Sequence, residues 1–205
     1  MKYIDLTHTI KPNMPVYPGD PAPEINQVGF IGKDSYNDSQ IKIDLHTGTH
    51  IDAPWHMLKN GKKLAAYPPD YFFGSGHLLD ARGRAVIDAE LLKGKKIAKG
   101  DIIFIMTGLS DKFTAPAYYG AHPEISENFA KKIIELGVKI IGLDFPSPDR
   151  EPFAVHKLLL KNDVLIIENL TNLASLSGYK KFNVAALPIK IEADASPVRV
   201  IARVG

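Results

Sequence analysis

Residues 102–106 read Ile-Ile-Phe-Ile-Met and residues 164–167 read Val-Leu-Ile-Ile, two runs without a polar break. A half-exposed strand alternates polar and apolar residues, because successive side chains point to opposite faces. A run that is apolar at every position must be buried on both faces. These segments therefore require a sheet covered on both sides, the pattern of parallel strands in α/β proteins. The runs extend to strands Asp101–Thr107 and Val164–Glu168, and further strands are expected at Tyr3–Ile10, Ile41–Asp52, His77–Ala81, Lys139–Phe145, Val184–Ile191 and Val198–Arg203. The clearest helix is Glu127–Leu136, with Ser126 as N-cap, Phe129, Ile133 and Leu136 on one face, and Gly137 as its stop. A second is expected over Pro152–Leu160 and a short one over Ala89–Leu92. With 205 residues, 45% of them hydrophobic, and neither linker nor repeat, the chain forms one α/β domain over residues 1–205 with a mixed sheet.

One segment of this frame carries chemistry. His46-Thr-Gly-Thr-His-Ile-Asp-Ala-Pro-Trp-His56 holds three of the seven histidines and an aspartate, a nitrogen-and-oxygen ligand set suited to a transition metal. Gly48, two threonines, Ile51 and Pro54 argue against a helix, and the zincin glutamate between paired histidines is absent. Read as a strand, Ile41, Ile43, Leu45, Thr47, Thr49 and Ile51 face the core, and His46, His50 and Asp52 share the other face. An ideal strand would hold His46 and His50 roughly 13 Å apart, too far for one ion. A bend is therefore expected at Gly48, with Pro54 ending the strand and presenting His56 from a turn. Glu168 ends an otherwise apolar strand, where a carboxylate is costly unless paired or metal-bound. His156 precedes it by twelve residues, in the first turn of the helix leading into that strand.

Other features narrow the function. A formal net charge of +2 without long basic runs gives no reason to expect nucleic acid or an anionic membrane as partner. No apolar run is long enough to span a bilayer, and Asp5 interrupts the start where a signal peptide would be apolar, so a cytoplasmic enzyme is expected. The absence of cysteine excludes disulfides, thiolate ligands and a cysteine nucleophile, and no Gly-x-Ser-x-Gly elbow exists. Two long loops, Lys11–Glu24 with Pro12, Pro15, Pro18 and Pro21 and Ser110–Ile125 with Tyr118, Tyr119 and His122, are candidates to line a site. His122 is expected on an exposed loop, and His8 and Asp5 as structural residues. Asp144 either orients a histidine or makes an Asx-turn before Pro146.

The pattern His46-x-Gly-Thr-His50-x-Asp52-x-Pro54-x-His56 resembles the signature of the metal-dependent cyclase family, the group that includes bacterial kynurenine formamidase and isatin hydrolase. Ile4-Asp5-Leu6-Thr7-His8, Tyr17-Pro18-Gly19-Asp20, Gly142-Leu143-Asp144, the segments around His156 and Glu168, and Ser196-Pro-Val-Arg-Val extend the resemblance along the chain. It implies a swivelling β/β/α-like fold assembled as a homodimer or homotetramer, and two divalent ions per subunit, zinc with manganese as the alternative. His46, His50 and Asp52 would hold the first ion; Asp52, His156 and Glu168 would complete the second site. His56 would be the general acid/base and Tyr17 would lie against a small-molecule substrate. The implied reaction is hydrolysis of a carbon–nitrogen amide bond by metal-activated water, with an arylformamide such as N-formylkynurenine as substrate. The alternatives are an isatin-like cyclic amide or lactone hydrolase, a non-hydrolytic cyclase or dehydratase, and a metal-binding protein without catalysis. Two departures stand out: Tyr17 replaces the tryptophan usual in the formamidases, and Glu192-Ala-Asp-Ala-Ser-Pro lacks the usual glycines. Neither is expected to touch a ligand.

Overall fold

The computed structural model describes residues 1–205. Its strands are β1 (Lys2–Asp5), β2 (Glu24–Gly29), β3 (Asp38–Lys42), β4 (His50–Asp52), β5 (Phe73–Asp80), β6 (Val86–Ile87), β7 (Ile102–Met106), β8 (Glu124–Ile125), β9 (Ile140–Leu143), β10 (Leu165–Glu168), β11 (Phe182–Pro188) and β12 (Ala195–Val204). The helices are the single turn α1 (Ile31–Asp34), α2 (Glu127–Glu135) and α3 (Ala154–Lys161), beside short 3₁₀ turns such as Pro54–His56 and Ala89–Leu92. The main sheet runs β1-β12-β11-β5-β7-β9-β10-β4, and β4 also pairs with β12, so seven strands close into a barrel with β1 appended outside the ring. β5, β7, β9 and β10 are parallel neighbours, while the pairs around β4, β11 and β12 are antiparallel. The α/β class with a mixed sheet read from the sequence is the observed architecture.

The unbroken apolar runs serve two cores. Ile102, Phe104 and Met106 join a cluster fed by every strand of the ring, including Ile51, Ile140, Ile167, Val184 and Val200. Ile103 and Ile105 turn the other way and pack with Phe129, Ile133, Val155 and Leu159 of α2 and α3. Both faces of the parallel strands are dry, as their composition requires. Ser126 caps α2 by accepting the Phe129 N–H at 3.1 Å, and Gly137 follows its end in the left-handed region (φ 69°). No helix is long and apolar enough to cross a membrane.

The structure corrects the single strand expected over Ile41–Asp52. Ladder pairing stops at Lys42 and resumes only at His50, with a turn between. The Asp44 side chain accepts the His46 N–H at 2.9 Å and its carbonyl accepts the Thr47 N–H at 3.1 Å, an Asx-turn that diverts the chain. Gly48 takes the left-handed conformation (φ 63°), so the bend is where a glycine permits it. Ile41 is exposed in consequence, because β3 pairs only with β2 in a hairpin that stands away from the core.

Candidate metal centre

Strand β4 is three residues long and wedged between two antiparallel partners. Glu168 lies opposite His50 on one side, and Ala195 opposite Asp52 on the other. Ile51 points into the barrel core, so alternation sends His50 and Asp52 together to the other face. Opposed residues of an antiparallel pair share a face, which brings Glu168 to His50. His156 reaches the same point from the first turn of α3. His50 Nε2 lies 3.5 Å from Asp52 Oδ1 and 3.4 Å from Glu168 Oε2; His156 Nε2 lies 3.5 Å from Asp52 Oδ2 and 3.5 Å from Glu168 Oε1. His46, released by the turn, sets Nδ1 3.0 Å from Asp52 Oδ1, and the His56 ring packs 4.2 Å from that of His46. The potential ligand atoms form two groups, His50–Asp52–Glu168 and His46–Asp52–His56, with Asp52 common to both.

Each of the three inner histidines has its outer nitrogen held by an acceptor. His50 Nδ1 meets the Gly48 carbonyl at 2.8 Å, His156 Nδ1 meets Asp149 Oδ1 at 3.2 Å, and His46 Nε2 meets Asp194 Oδ2 at 2.9 Å. A proton on the outer nitrogen leaves the inner lone pair directed at the carboxylates, the arrangement that prepares a histidine for a metal. The supports are themselves braced. Asn169 donates to the Gly48 carbonyl at 2.9 Å and accepts from the Tyr118 hydroxyl at 2.8 Å, and Asp149 also accepts the Val155 N–H at 2.7 Å. Asp149 and Asp194 were not singled out by the sequence, and Asp194 lies in the departing Glu192–Pro197 segment, so that change does touch a proposed ligand.

The electrostatics call for a cation. Burial works against charging His46 and His156, yet the facing carboxylates of Asp52 and Asp194 raise the pKa of His46 to about 10, and those of Asp149 and Asp52 raise that of His156 to about 9. Asp52 is held well below the usual carboxylate range against its burial by His50, His156 and His46. Protons here balance carboxylate charge, a role a divalent ion takes over as the histidines lose them. Three converging atoms, His50 Nε2, Asp52 Oδ1 and Glu168 Oε1, are buried without a hydrogen-bond partner of acceptable geometry despite their short separations. Buried polar atoms are nearly always satisfied. An oxygen-and-nitrogen set with orphaned atoms aimed at one another fits divalent metal.

The cluster floors a cavity of about 310 Å³ whose walls include Tyr17, Tyr119, Met57 and Phe153. Tyr17 is half exposed and meets Tyr119 edge-on, ring centroids 5.8 Å apart. Both proline-rich and tyrosine-bearing loops thus reach the site. Two readings need correction. His122 is buried rather than exposed, stacked 6.1 Å from Phe145. Asp144 neither orients a histidine nor turns the chain before Pro146: it accepts from Thr107 Oγ1 at 2.6 Å and from the Thr107 and Gly108 N–H groups, anchoring the exit from β7.

Residues 4–150 match the model of the Cyclase family, described as "Putative cyclase". The chain belongs to the Cyclase family. That match takes in His46 through His56 but ends before His156, Glu168 and Asp194, which only full-length comparisons cover. A protein of uncharacterised function from Methanocaldococcus jannaschii is 36% identical over 98% of this Cyclase chain and 99% of its own. The kynurenine formamidase of Bacillus cereus is 28% identical over 98% of this chain and 97% of its own. Among solved structures, a potential metal-dependent hydrolase with cyclase activity superposes with a TM-score of 0.81 at 28% identity, covering 98% of this chain and 96% of the other. Isatin hydrolase A from Labrenzia aggregata shares the fold, with a TM-score of 0.89 at 22% identity over 99% and 93% of the two chains.

Proposed function

We propose that the protein hydrolyses a carbon–nitrogen amide bond with two divalent ions, zinc or alternatively manganese, and that its substrate is an arylformamide such as N-formylkynurenine. The observation that carries this reading is the convergence of His46, His50, His156 and Glu168 on Asp52 at the floor of an aromatic-walled cavity. The full-length likeness to kynurenine formamidase supports the substrate class. In this reading His46, His50 and Asp52 hold one ion, and Asp52, His156 and Glu168 hold the other. Divalent ions so placed polarise a carbonyl oxygen and lower the pKa of water from 15.7 to about 7.

The chain's own residues supply the rest. His56 has no place in the deep ladder; it sits in the 3₁₀ turn after Pro54, at the cavity wall. Burial pushes its pKa below the usual histidine value, although Asp52 pulls the other way, so at neutral pH the ring is ready to accept a proton. His56 would take a proton from the water that attacks the carbonyl and return it to the nitrogen as the C–N bond breaks, since that nitrogen cannot depart as an anion. Tyr17, Tyr119 and Phe153 offer ring faces and edges to an aryl group. The protein works on a small molecule in the cytoplasm as a homodimer or homotetramer in this proposal.

The test uses full-length protein stripped by a chelator, reloaded with zinc or manganese, and offered formanilide, N-formylkynurenine and isatin. Turnover that vanishes on stripping, returns on reloading and adds one water to a formanilide is the expected result. Isatin opening without formanilide cleavage would move the substrate class to cyclic amides. A product of unchanged mass would replace hydrolysis with cyclisation, and no turnover at full metal loading would remove the enzymatic reading.

A further inference from the structure

Asp194 differs from the other carboxylates around the cluster. Its Oδ2 lies 2.9 Å from His46 Nε2 and 3.4 Å from His56 Nδ1, so one oxygen faces both a ligand histidine and the proton carrier. The placement is fixed by backbone. The Asp194 carbonyl accepts the Ala53 N–H at 2.8 Å, and the Ala53 carbonyl accepts the His56 N–H at 2.9 Å. Ala195 is in ladder register with Asp52. On the far side, the Ala193 carbonyl accepts the Leu64 N–H at 3.0 Å, which pins the segment to the turn after the site. The backbone of Asp194 is thus tied to the same short stretch of chain that carries Asp52 and His56.

The inner histidines give the comparison that defines its role. His50 and His156 have their outer nitrogens held by buried acceptors, the Gly48 carbonyl and Asp149. Asp194 performs that service for His46 from a side chain that is 31% exposed. An acceptor at Nε2 keeps the proton there and leaves Nδ1 turned to Asp52. The same oxygen beside His56 Nδ1 favours a proton on that nitrogen, which leaves His56 Nε2 free to receive another, the logic by which a carboxylate orients a catalytic imidazole.

We propose that Asp194 is a shared positioning residue: it locks the tautomer and ring angle of His46 as a ligand and those of His56 as proton carrier, coupling the metal centre to proton transfer. The proposal rests on the reading of His46 and His56 given above. Its test is zinc titration of the metal-free full chain, nitrogen-15 spectra of the histidine rings in the zinc-loaded protein, and kcat against pH, for wild type, Asp194→Ala and Asp194→Asn. Asp194→Ala is expected to weaken one zinc site about 10–100-fold while saturating zinc still loads the wild-type number of ions. The His46 and His56 ring signals should move towards mixed tautomers, and kcat should fall and shift in its pH profile with KM little changed. Asp194→Asn keeps an acceptor oxygen of the same shape and should recover part of the zinc affinity but not the pH profile, which also serves if the alanine variant fails to fold. Wild-type zinc affinity and unmoved ring signals in both variants would overturn the proposal. Loss of one ion at saturating zinc would also overturn it, by making Asp194 a ligand. Failure of the hydrolase reading would show as absent turnover in wild type, while zinc affinity and ring spectra still decide the role of Asp194.

Discussion

The side chains of His50, His156 and Glu168 are 2%, 4% and 8% exposed, whereas those of His46, His56 and Asp194 are 22%, 26% and 31% exposed. The deep half comes from β4, β10 and the first turn of α3, each fixed by ladders or by packing on the core. The shallow half comes from a turn, a 3₁₀ turn and the segment entering β12. Water access is therefore distributed unevenly over a centre whose two ligand groups share Asp52. A buried ligand on a strand gains strength from the low local dielectric and has little freedom to relax. A proton carrier must instead exchange with solvent and substrate, and a turn at the cavity wall gives it that contact. In the proposed reading the difference sets the buried ligands His50, His156 and Glu168 apart from the proton carrier His56, with the ligand His46 on the carrier's side.

The contrast is most exposed to test at Glu168. Glu168→Ala leaves His50 and His156 facing Asp52 alone in a buried site, and it should abolish stoichiometric metal binding and lower turnover on the order of 10⁴-fold or more. Metal analysis beside kinetics checks this; a variant that keeps both ions would show that the deep half is not the anchor. The shallow half should respond in the opposite way. His56→Ala is expected to retain the wild-type metal content while kcat falls about 10²–10³-fold, the range for loss of a general acid/base. If that variant loses an ion, the ligand group His46–Asp52–His56 is a working metal site and His56 belongs with the ligands.

Legibility follows the same division. The deep half was readable because its signals are local or periodic: His50 and Asp52 share parity, and Glu168 is conspicuous at the end of an apolar run. The bend at Gly48 followed from the need to gather His46 and His50. Its mechanism did not, because the alternation of residues 41–52 concealed an Asx-turn at Asp44, whose side chain competes with the ladder for the His46 N–H. Asp194 had no local signal. It stands 148 residues from His46, and its contact exists only because β12 closes the barrel against β4. Asp149 could have been suspected from its place before a helix, but its partner is the Val155 N–H, six residues on, through a left-handed Phe153 at the helix start. That spacing lies outside ordinary capping patterns. Burial of His122 likewise depended on Phe145, an aromatic beyond reach of any local reading.

The smallest expected effect tests whether the joint between the two halves is conformational. Gly48 lies between His46 and His50, at φ 63°, and its carbonyl accepts from His50 Nδ1 and Asn169 Nδ2. An alanine there must adopt a left-handed conformation that costs roughly 1–2 kcal/mol for a residue with a Cβ. The new Cβ would also meet Met14 Cε at 2.9 Å, a contact relieved by moving the flexible end of that side chain. Gly48→Ala should therefore lower the stability of the metal-free protein by about 1–2 kcal/mol in denaturant unfolding, with the slope unchanged. Metal binds only the folded site, so saturating zinc should restore much of the loss. A larger loss in which zinc no longer binds would mean that the turn sets the position of His50 as well as His46, and that the deep half depends on the shallow one. Unchanged stability would mean that the backbone can gather the two histidines without a left-handed residue, and the joint would then lie in the Asp44 turn rather than at Gly48.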